Sequence, residues 1–497
     1  MKNQAQVIAY VDRFAGGTFR DLQRLLDGPL AGAFGAVHVL PFFHPIDGAD
    51  AGFDPIDHTQ VDPRLGTWTD VAALATHYDL MADVIVNHIS RRSPQFDDYD
   101  RRGGDSLYAG MFLTYSRVFP NGARASDLLA LHTPRPTLPF TTHRTAGGDD
   151  VLLWTTFTSD QIDIDVEDAQ AKQYLAGILT RLRDAGVRTI RLDAVGYAVK
   201  RAGTSCFMIP ETFAFIDDLT SRAHDLGVEV LVEVHGHYHE QIDIARHVDW
   251  VYDFALPPLV LHTLYTRDAT QLKRWLEIRP RNAVTVLDTH DGIGVQDVGA
   301  DPRHGAPGLL RSDEIASIVE TIHVRSRGES REASGGAASN LDVSQINCSF
   351  YDALGRRDSE YLIARAIQCF VPGIPQIYYA GLLAATNDMP LLRRTGVGRD
   401  INRHYYTADE LQRELQRPVV QALLTLLRFR NTHPAFAGTY SSAGSASNEL
   451  TLTWTHADAF ARLDVDLAQM HATVTCSDTA PGTGSAVVWQ SPVEASR

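Results

Sequence analysis

The sequence predicts an α/β fold: a (β/α)8 barrel (TIM barrel) with two inserted loop-rich subdomains and a small all-β C-terminal domain. Three observations carry this. Eight apolar runs recur through the first 435 residues, usually followed by a helix-like stretch, and runs apolar on both faces suit parallel strands covered by helices. Two intervals between the runs are too long for ordinary connections. After His433-Pro434 the pattern changes to short alternating runs with no further helical units. A doubly wound sheet is the alternative, but no Gly-rich phosphate fingerprint follows the first run.

In chain order the strand-like runs are residues 7–10, 36–43, 80–87, 189–195, 229–235, 250–256, 283–290 and 374–379. Amphipathic stretches at 22–30, 68–77, 171–185, 210–227 and 313–323 supply covering helices. Residues 88–188 hold few helical patterns and many Pro, Gly, Asp and aromatic residues, and residues 292–355 include Ser334-Gly-Gly-Ala-Ala-Ser339. Long insertions on a barrel are usually functional. The expected division is therefore barrel over 1–87, an inserted segment over 88–167, barrel over 168–291, a second insert over 292–355, barrel over 356–435, and a β domain over 436–497, where residues 449–455 (ELTLTWT) alternate like a strand.

A net charge of −16 argues against nucleic acid or an anionic membrane as partner, since both call for clustered Lys and Arg. No apolar run reaches the length of a membrane span, and the N-terminus enters a strand with no signal-peptide pattern. The four cysteines show no CxxC pairing, so reduced thiols and a cytoplasmic location are expected.

The chemistry concentrates at the ends of the runs. Thr189-Ile-Arg-Leu-Asp193 reads as a strand, yet Arg191 and Asp193 sit two apart and so share one face. A buried strand with two charges on one face must pair them or use them. Other runs end in Asn87-His88, Glu233-Val-His235 and His290-Asp291. Active groups of such barrels lie at the carboxyl ends of the strands, so these residues are expected to converge. Two carboxyls on adjacent strands suit a retaining glycosidic-bond reaction, which needs them about 5–5.5 Å apart. Asp193, beside the Arg191 cation, fits a nucleophile kept ionised. Glu233, with no cation next to it in sequence, fits an acid/base, and Asp291 would stabilise developing positive charge. The histidines and carboxylates are also a candidate metal set, but Arg191 would repel a cation, so no metal and no cofactor are expected.

Gly-Phe-Asp-Pro (52–55), Asp83-Val-Ile-Val-Asn-His88, Ile190-Arg-Leu-Asp-Ala-Val195, Glu233-Val-His235 and Asp288-Thr-His-Asp291 resemble the ordered motifs of the α-amylase superfamily. Longer segments narrow this to a resemblance to the sucrose phosphorylases: Leu40 to His58, Gly203-Thr-Ser-Cys-Phe-Met208, Tyr252-Asp-Phe-Ala-Leu-Pro-Pro258, Asp288 to Gly294 and Gly398 to Tyr406. The resemblance implies Asp193 as nucleophile, Glu233 as acid/base and Asp291 as transition-state carboxylate. It further implies a glucosyl pocket of Asp50, Phe53, His88, Arg191, His290 and Arg399, and an acceptor or phosphate site of Arg135, Tyr197, His235, Asp342, Ser344 and Gln345. Small-molecule substrates (sucrose or sucrose 6F-phosphate, with inorganic phosphate) and a homodimer are likewise implied. The pattern departs at Asp342-Val-Ser-Gln345, where Ser344 stands in place of the family's usual tyrosine. That extra room, with His132, Lys200 and His237 nearby, tips the expectation slightly toward sucrose 6F-phosphate over sucrose. A glucosylglycerol- or glucosylglycerate-type phosphorylase and an α-glucoside hydrolase remain alternatives.

Overall fold

The computed structural model describes residues 1–14, 16–135, 137–301, 305–334, 345–444, 446–477 and 485–492. Eight strands close into one barrel: Gln6–Ala9, Ala36–Val39, Asp79–Ile85, Val187–Asp193, Glu229–Val232, Trp250–Asp253, Ala283–Thr285 and Ile374–Tyr378. They follow one another around the barrel in chain order, and every neighbouring pair is parallel. Each coincides with one expected run. Both faces of the strands are buried, but in different places. Leu231 joins Met81, Tyr252, Val284 and Ile374 in a small cluster, while its neighbours Val230 and Val232 belong to the large core that includes the covering helices. Alternation across the strand places the first set inside the barrel and the second outside it.

The strands stop earlier than the apolar runs do. The run at 283–290 pairs only through Thr285, and Asp288 then turns its carboxylate to the buried guanidinium of Arg365 at 2.7 Å. His88, Glu233, His235, His290 and Asp291 all lie beyond the last barrel residue of their strands, on the connections at the carboxyl end.

Between the third and fourth barrel strands lie the helices Pro94–Arg102, Tyr115–Val118 and Ala125–Ala130 and two antiparallel pairs, His88–Ser90 with Gln161–Asp163 and Phe140–Arg144 with Asp150–Trp154. A buried ammonium ties this stretch to the barrel. Lys200 Nζ lies 2.5 Å from Asp163 Oδ2 and 2.6 Å from Asn87 Oδ1, and also donates to the Tyr197 carbonyl. Neither ion is exposed beyond 1%. Breaking a buried pair by removing one partner strands the other charge. Lys200→Met is therefore expected to cost about 3–5 kcal/mol, read as a lowered midpoint of denaturant or thermal unfolding; an unchanged midpoint would show that the pair stabilises nothing.

Past the barrel, five strands form an antiparallel sheet: Thr439–Ala443, Glu449–His456, Ala459–Asp466, His471–Ser477 and Ser485–Gln490. Leu450, Leu452 and Trp454 alternate inward with Leu463, Val465 and Val474. Trp454 and Trp489 donate to the carbonyls of Phe370 and Ala422, which fastens the sheet to two barrel helices, Asp358–Phe370 and Pro418–Thr432. All four cysteines are buried and none is in a disulfide. Among the described residues no helix is long and apolar enough to cross a membrane.

Candidate active site

A cavity of about 890 Å³ opens at the carboxyl end of the barrel. Of the residues singled out from the sequence, Asp50, Phe53, His88, Asp193, Tyr197, Glu233, His235, His290, Asp291, Gln345 and Arg399 line it. Arg191 is buried among the carboxylates at its base. Arg135 is placed differently from the expectation. It is not among the lining residues, although Thr133 and Pro134 are, and its guanidinium donates to the backbone carbonyls of Thr155 and Thr156. Asp342 and Ser344 fall outside the described residues.

The fourth barrel strand supplies the centre. Arg191 and Asp193 point to one side, and Arg191 Nη1 donates to Asp193 Oδ1 at 2.8 Å and to Asp83 Oδ1 at 2.5 Å. Its Nη2 lies 3.8 Å from Glu233 Oε1, so one guanidinium joins three carboxylates from three adjacent strands. Asp83 pairs with Arg191 in the sheet register and also meets His38 at 3.0 Å. Burial pushes Asp83 up, but His38 and Arg191 outweigh it and hold it at about 2. Three residues of the cavity wall adopt left-handed backbone without being glycine: Ala194 (φ 55°), which follows Asp193, Asp50 (φ 49°) and Met208 (φ 47°). Such strained positions persist where the surroundings over-determine them, and they cluster at functional sites.

The charge balance at the centre is set by neighbours from several strands. Burial pushes the Asp193 carboxyl well above the usual carboxylate range; Arg191 pulls it down, and Glu233, Asp83 and Asp291 push it further up. Arg191 is the cation that favours the ionised form the nucleophile needs, and it is shared among three carboxylates rather than held for Asp193 alone. Glu233, which has no cation next to it in sequence, has one close by in space. His235 Nε2 lies 3.3 Å from Glu233 Oε1. Burial lowers the His235 pKa, but Asp297, then Glu233 and Asp291, raise it to about 9.

On the opposite wall Asp50 takes Arg399 and Arg403, each at 3.1 Å. Arg399 also reaches Asp291 at 2.8 Å. Burial works against both carboxylates, and the two arginines hold each below its ordinary value. Phe53 lies flat against the His290 ring, 4.8 Å between centroids at 7°. Burial lowers the pKa of His88 and of His290, and for His290 Arg191 and Arg403 reinforce the effect. His88 Nε2 lies 3.0 Å from the Phe53 carbonyl and 3.1 Å from Gln161 Nε2, which fixes that ring against the floor of the cavity. Gln345 Oε1 accepts from Gly292 N and Arg399 Nη2. Glu233, His235 and Asp291 bring ligand atoms within 4.8 Å of one another, a spacing that suits a metal ion. The His235 and Arg399 cations already neutralise that trio, which disfavours a further positive charge.

Some contributors went unrecognised in the sequence. Asp83 stood in a quoted motif with no role, and Arg403 lies one helical turn past Arg399. Gln161 and Phe157 line the cavity from stretches with no motif, and Phe207 does so from the quoted segment 203–208, where it had no role assigned. Lys200 had been counted as a cation near the acceptor; its ion pair with Asp163 removes it from that role.

The α-amylase catalytic-domain profile matches residues 33–243. Over 477 residues the chain is 58% identical to the sucrose phosphorylase of Agrobacterium vitis, an alignment covering 96% of this chain and 98% of that one. The chain belongs to the sucrose phosphorylase family. These are glycosyl-transferring enzymes of the α-amylase superfamily. Identity to the sucrose phosphorylase of Bifidobacterium adolescentis is 51%, over 91% of this chain and 90% of that one. The crystal structure of sucrose 6F-phosphate phosphorylase from Thermoanaerobacter thermosaccharolyticum superposes with a TM-score of 0.89 at 37% identity, covering 98% of each chain.

Proposed function

We propose that this chain phosphorolyses sucrose by a retaining double displacement, giving α-glucose 1-phosphate and fructose. The observation that carries the reading is the Arg191 guanidinium, which joins the Asp193 and Glu233 carboxylates on adjacent strands at the cavity base. In the proposed mechanism the glucosyl ring rests against Phe53, with Asp50, His88, His290 and Arg399 as partners for its hydroxyls. Glu233 gives its proton to the fructosyl oxygen as Asp193 attacks the anomeric carbon and forms a β-glucosyl ester. Fructose leaves. Phosphate then attacks the same carbon, its proton passing to Glu233, and the Asp193 ester breaks. Asp291, held ionised by Arg399 and Arg403, faces the carbon that gains positive charge in both steps.

The attacking dianion needs a cation in a carboxylate-rich cavity. His235 supplies one, with Tyr197 and Gln345 as further partners. Arg135 is a second source, because its bonds to two neutral carbonyls, each worth about 1.5–3 kcal/mol, can be exchanged for stronger bonds in which both partners are charged.

For the leaving group, sucrose is the better-supported reading. The cavity wall carries Glu240, Asp297 and Asp301 in addition to the four carboxylates of the centre and glucosyl pocket, and a second phosphate on fructose would face them. Relatives 58% and 51% identical are named sucrose phosphorylases. Phosphorolysis rates on sucrose and sucrose 6F-phosphate decide between them, and faster turnover of the phosphorylated sugar would reverse the choice. Release of glucose at equal rate with and without phosphate would replace phosphorolysis by hydrolysis.

A further inference from the structure

We propose that Asp297 is a positioning residue for phosphorolysis, holding the His235 ring as a fixed cation for the incoming phosphate. This rests on the reading of the site given above and adds to it a residue from a different part of the chain. Asp297 lies in the connection after the seventh barrel strand, is 3% exposed and lines the cavity. Its Oδ1 sits 3.7 Å from His235 Nδ1 and accepts the Gly236 N–H at 3.2 Å. Its own carbonyl accepts the Tyr238 N–H at 2.9 Å. Three contacts thus clamp it to the segment that follows the fifth strand.

The clamp requires a close approach that the sequence permits at one place. A Cβ on Gly294 would fall 2.6 Å from Asp297 Oδ2 and 3.5 Å from His235 Nδ1. Only glycine leaves the carboxylate room to stand behind the ring. One ring face of His235 is covered by Phe254, 4.0 Å away at 20°, and Nε2 faces Glu233 Oε1 at 3.3 Å. Carboxylate, imidazole and carboxylate therefore form a line: Asp297, His235, Glu233. The charged groups around the ring are Glu233 from its own segment, Asp297 and Asp291 from the connection after the seventh strand, and Arg399 beyond Asp291.

The division of labour follows from the reaction. Glu233 changes charge in each half-reaction, and Asp291 is compensated by two arginines. Asp297 takes no part in proton transfer and faces neither Arg399 nor Arg403, so it acts on His235 in the same way through both half-reactions. With Nδ1 toward Asp297, the imidazolium keeps its Nε2–H on the Glu233 side, where an incoming phosphate can take it up without breaking the two carbonyl bonds that hold Arg135.

The test is the pH dependence of kcat/KM for inorganic phosphate in the wild type, Asp297→Asn, Gly294→Ala and His235→Asn, with transfer to glycerol as the uncharged comparison. In the wild type the alkaline limb is expected near 9. In Asp297→Asn it moves down by about one pH unit or more, because a carboxylate beside a cation shifts its pKa by that order. KM for phosphate rises about tenfold at pH values between the old and new limbs, while kcat at saturating phosphate changes less. Gly294→Ala, which crowds the carboxylate without removing it, moves the limb in the same direction. An unmoved limb and KM in both variants overturn the proposal, as does an equal loss of transfer to phosphate and to glycerol. If His235→Asn leaves KM for phosphate at its wild-type value, it is the assignment of His235 to phosphate that fails. A changed KM in His235→Asn with none in Asp297→Asn sinks the role of Asp297 alone.

Discussion

Asp193→Asn is expected to lower sucrose phosphorolysis by about 10⁴-fold or more, the scale seen when a nucleophile is removed and only binding and electrostatic stabilisation remain. Asparagine keeps the shape and cannot form the glucosyl ester. The same change should not weaken the fold, and the sign can be worked out. Burial, with Glu233, Asp83 and Asp291, raises the Asp193 pKa above its unfolded value. A carboxyl raised in this way disfavours the folded state at every pH above its unfolded pKa, because there the unfolded chain ionises it more readily. At neutral pH the wild type carries that cost and Asp193→Asn does not. Arg191 keeps Asp83 at 2.5 Å and Glu233 at 3.8 Å, so it is not left alone. The expected pair of results is lost turnover with an unchanged or raised unfolding midpoint. Retained phosphorolysis would end the covalent mechanism; lost activity with a lowered midpoint would leave open a purely structural role.

The barrel was legible because its signal is local and repeated. Eight apolar runs with helix-like spacers leave few other ways to bury both faces of each strand, and all eight closed into the barrel in order. The centre was legible because its residues sit at fixed places in those runs: Arg191 and Asp193 share a face by the period of the strand, and Glu233 ends the next run. What the sequence hid was charge balance, which depends on neighbours far away in the chain. Arg191 lies two residues from Asp193, yet Asp83 takes an equal share of it from 108 residues earlier. His235 stood two residues from Glu233 in the sequence; only the fold brings Asp297 behind it. Lys200 shows the same limit. It was expected as a basic group near the acceptor, and its carboxylate partner, Asp163, comes from the inserted segment, where spacing gives no guide.

Glu233→Gln is the second large effect, expected to cost about 10²–10⁴-fold in sucrose phosphorolysis, the usual contribution of a positioned general acid. Its signature lies in the donor. Fructose leaves as an alkoxide unless Glu233 protonates it, whereas fluoride from α-glucosyl fluoride needs no proton. The first half-reaction with α-glucosyl fluoride should therefore keep most of its wild-type rate in Glu233→Gln, while sucrose loses nearly all of it. The variant also removes one of the carboxylates that hold the His235 proton, though Asp297, the larger influence, remains. Its alkaline limb should move down less than that of Asp297→Asn. These two readouts separate roles that a rate with sucrose alone would merge, since donor dependence reports the acid and the limb reports the imidazolium beside it. Equal slowing of sucrose and α-glucosyl fluoride would mean that Glu233 shapes the site without delivering the proton, and the acid would then have to be sought in its neighbour His235, 3.3 Å away.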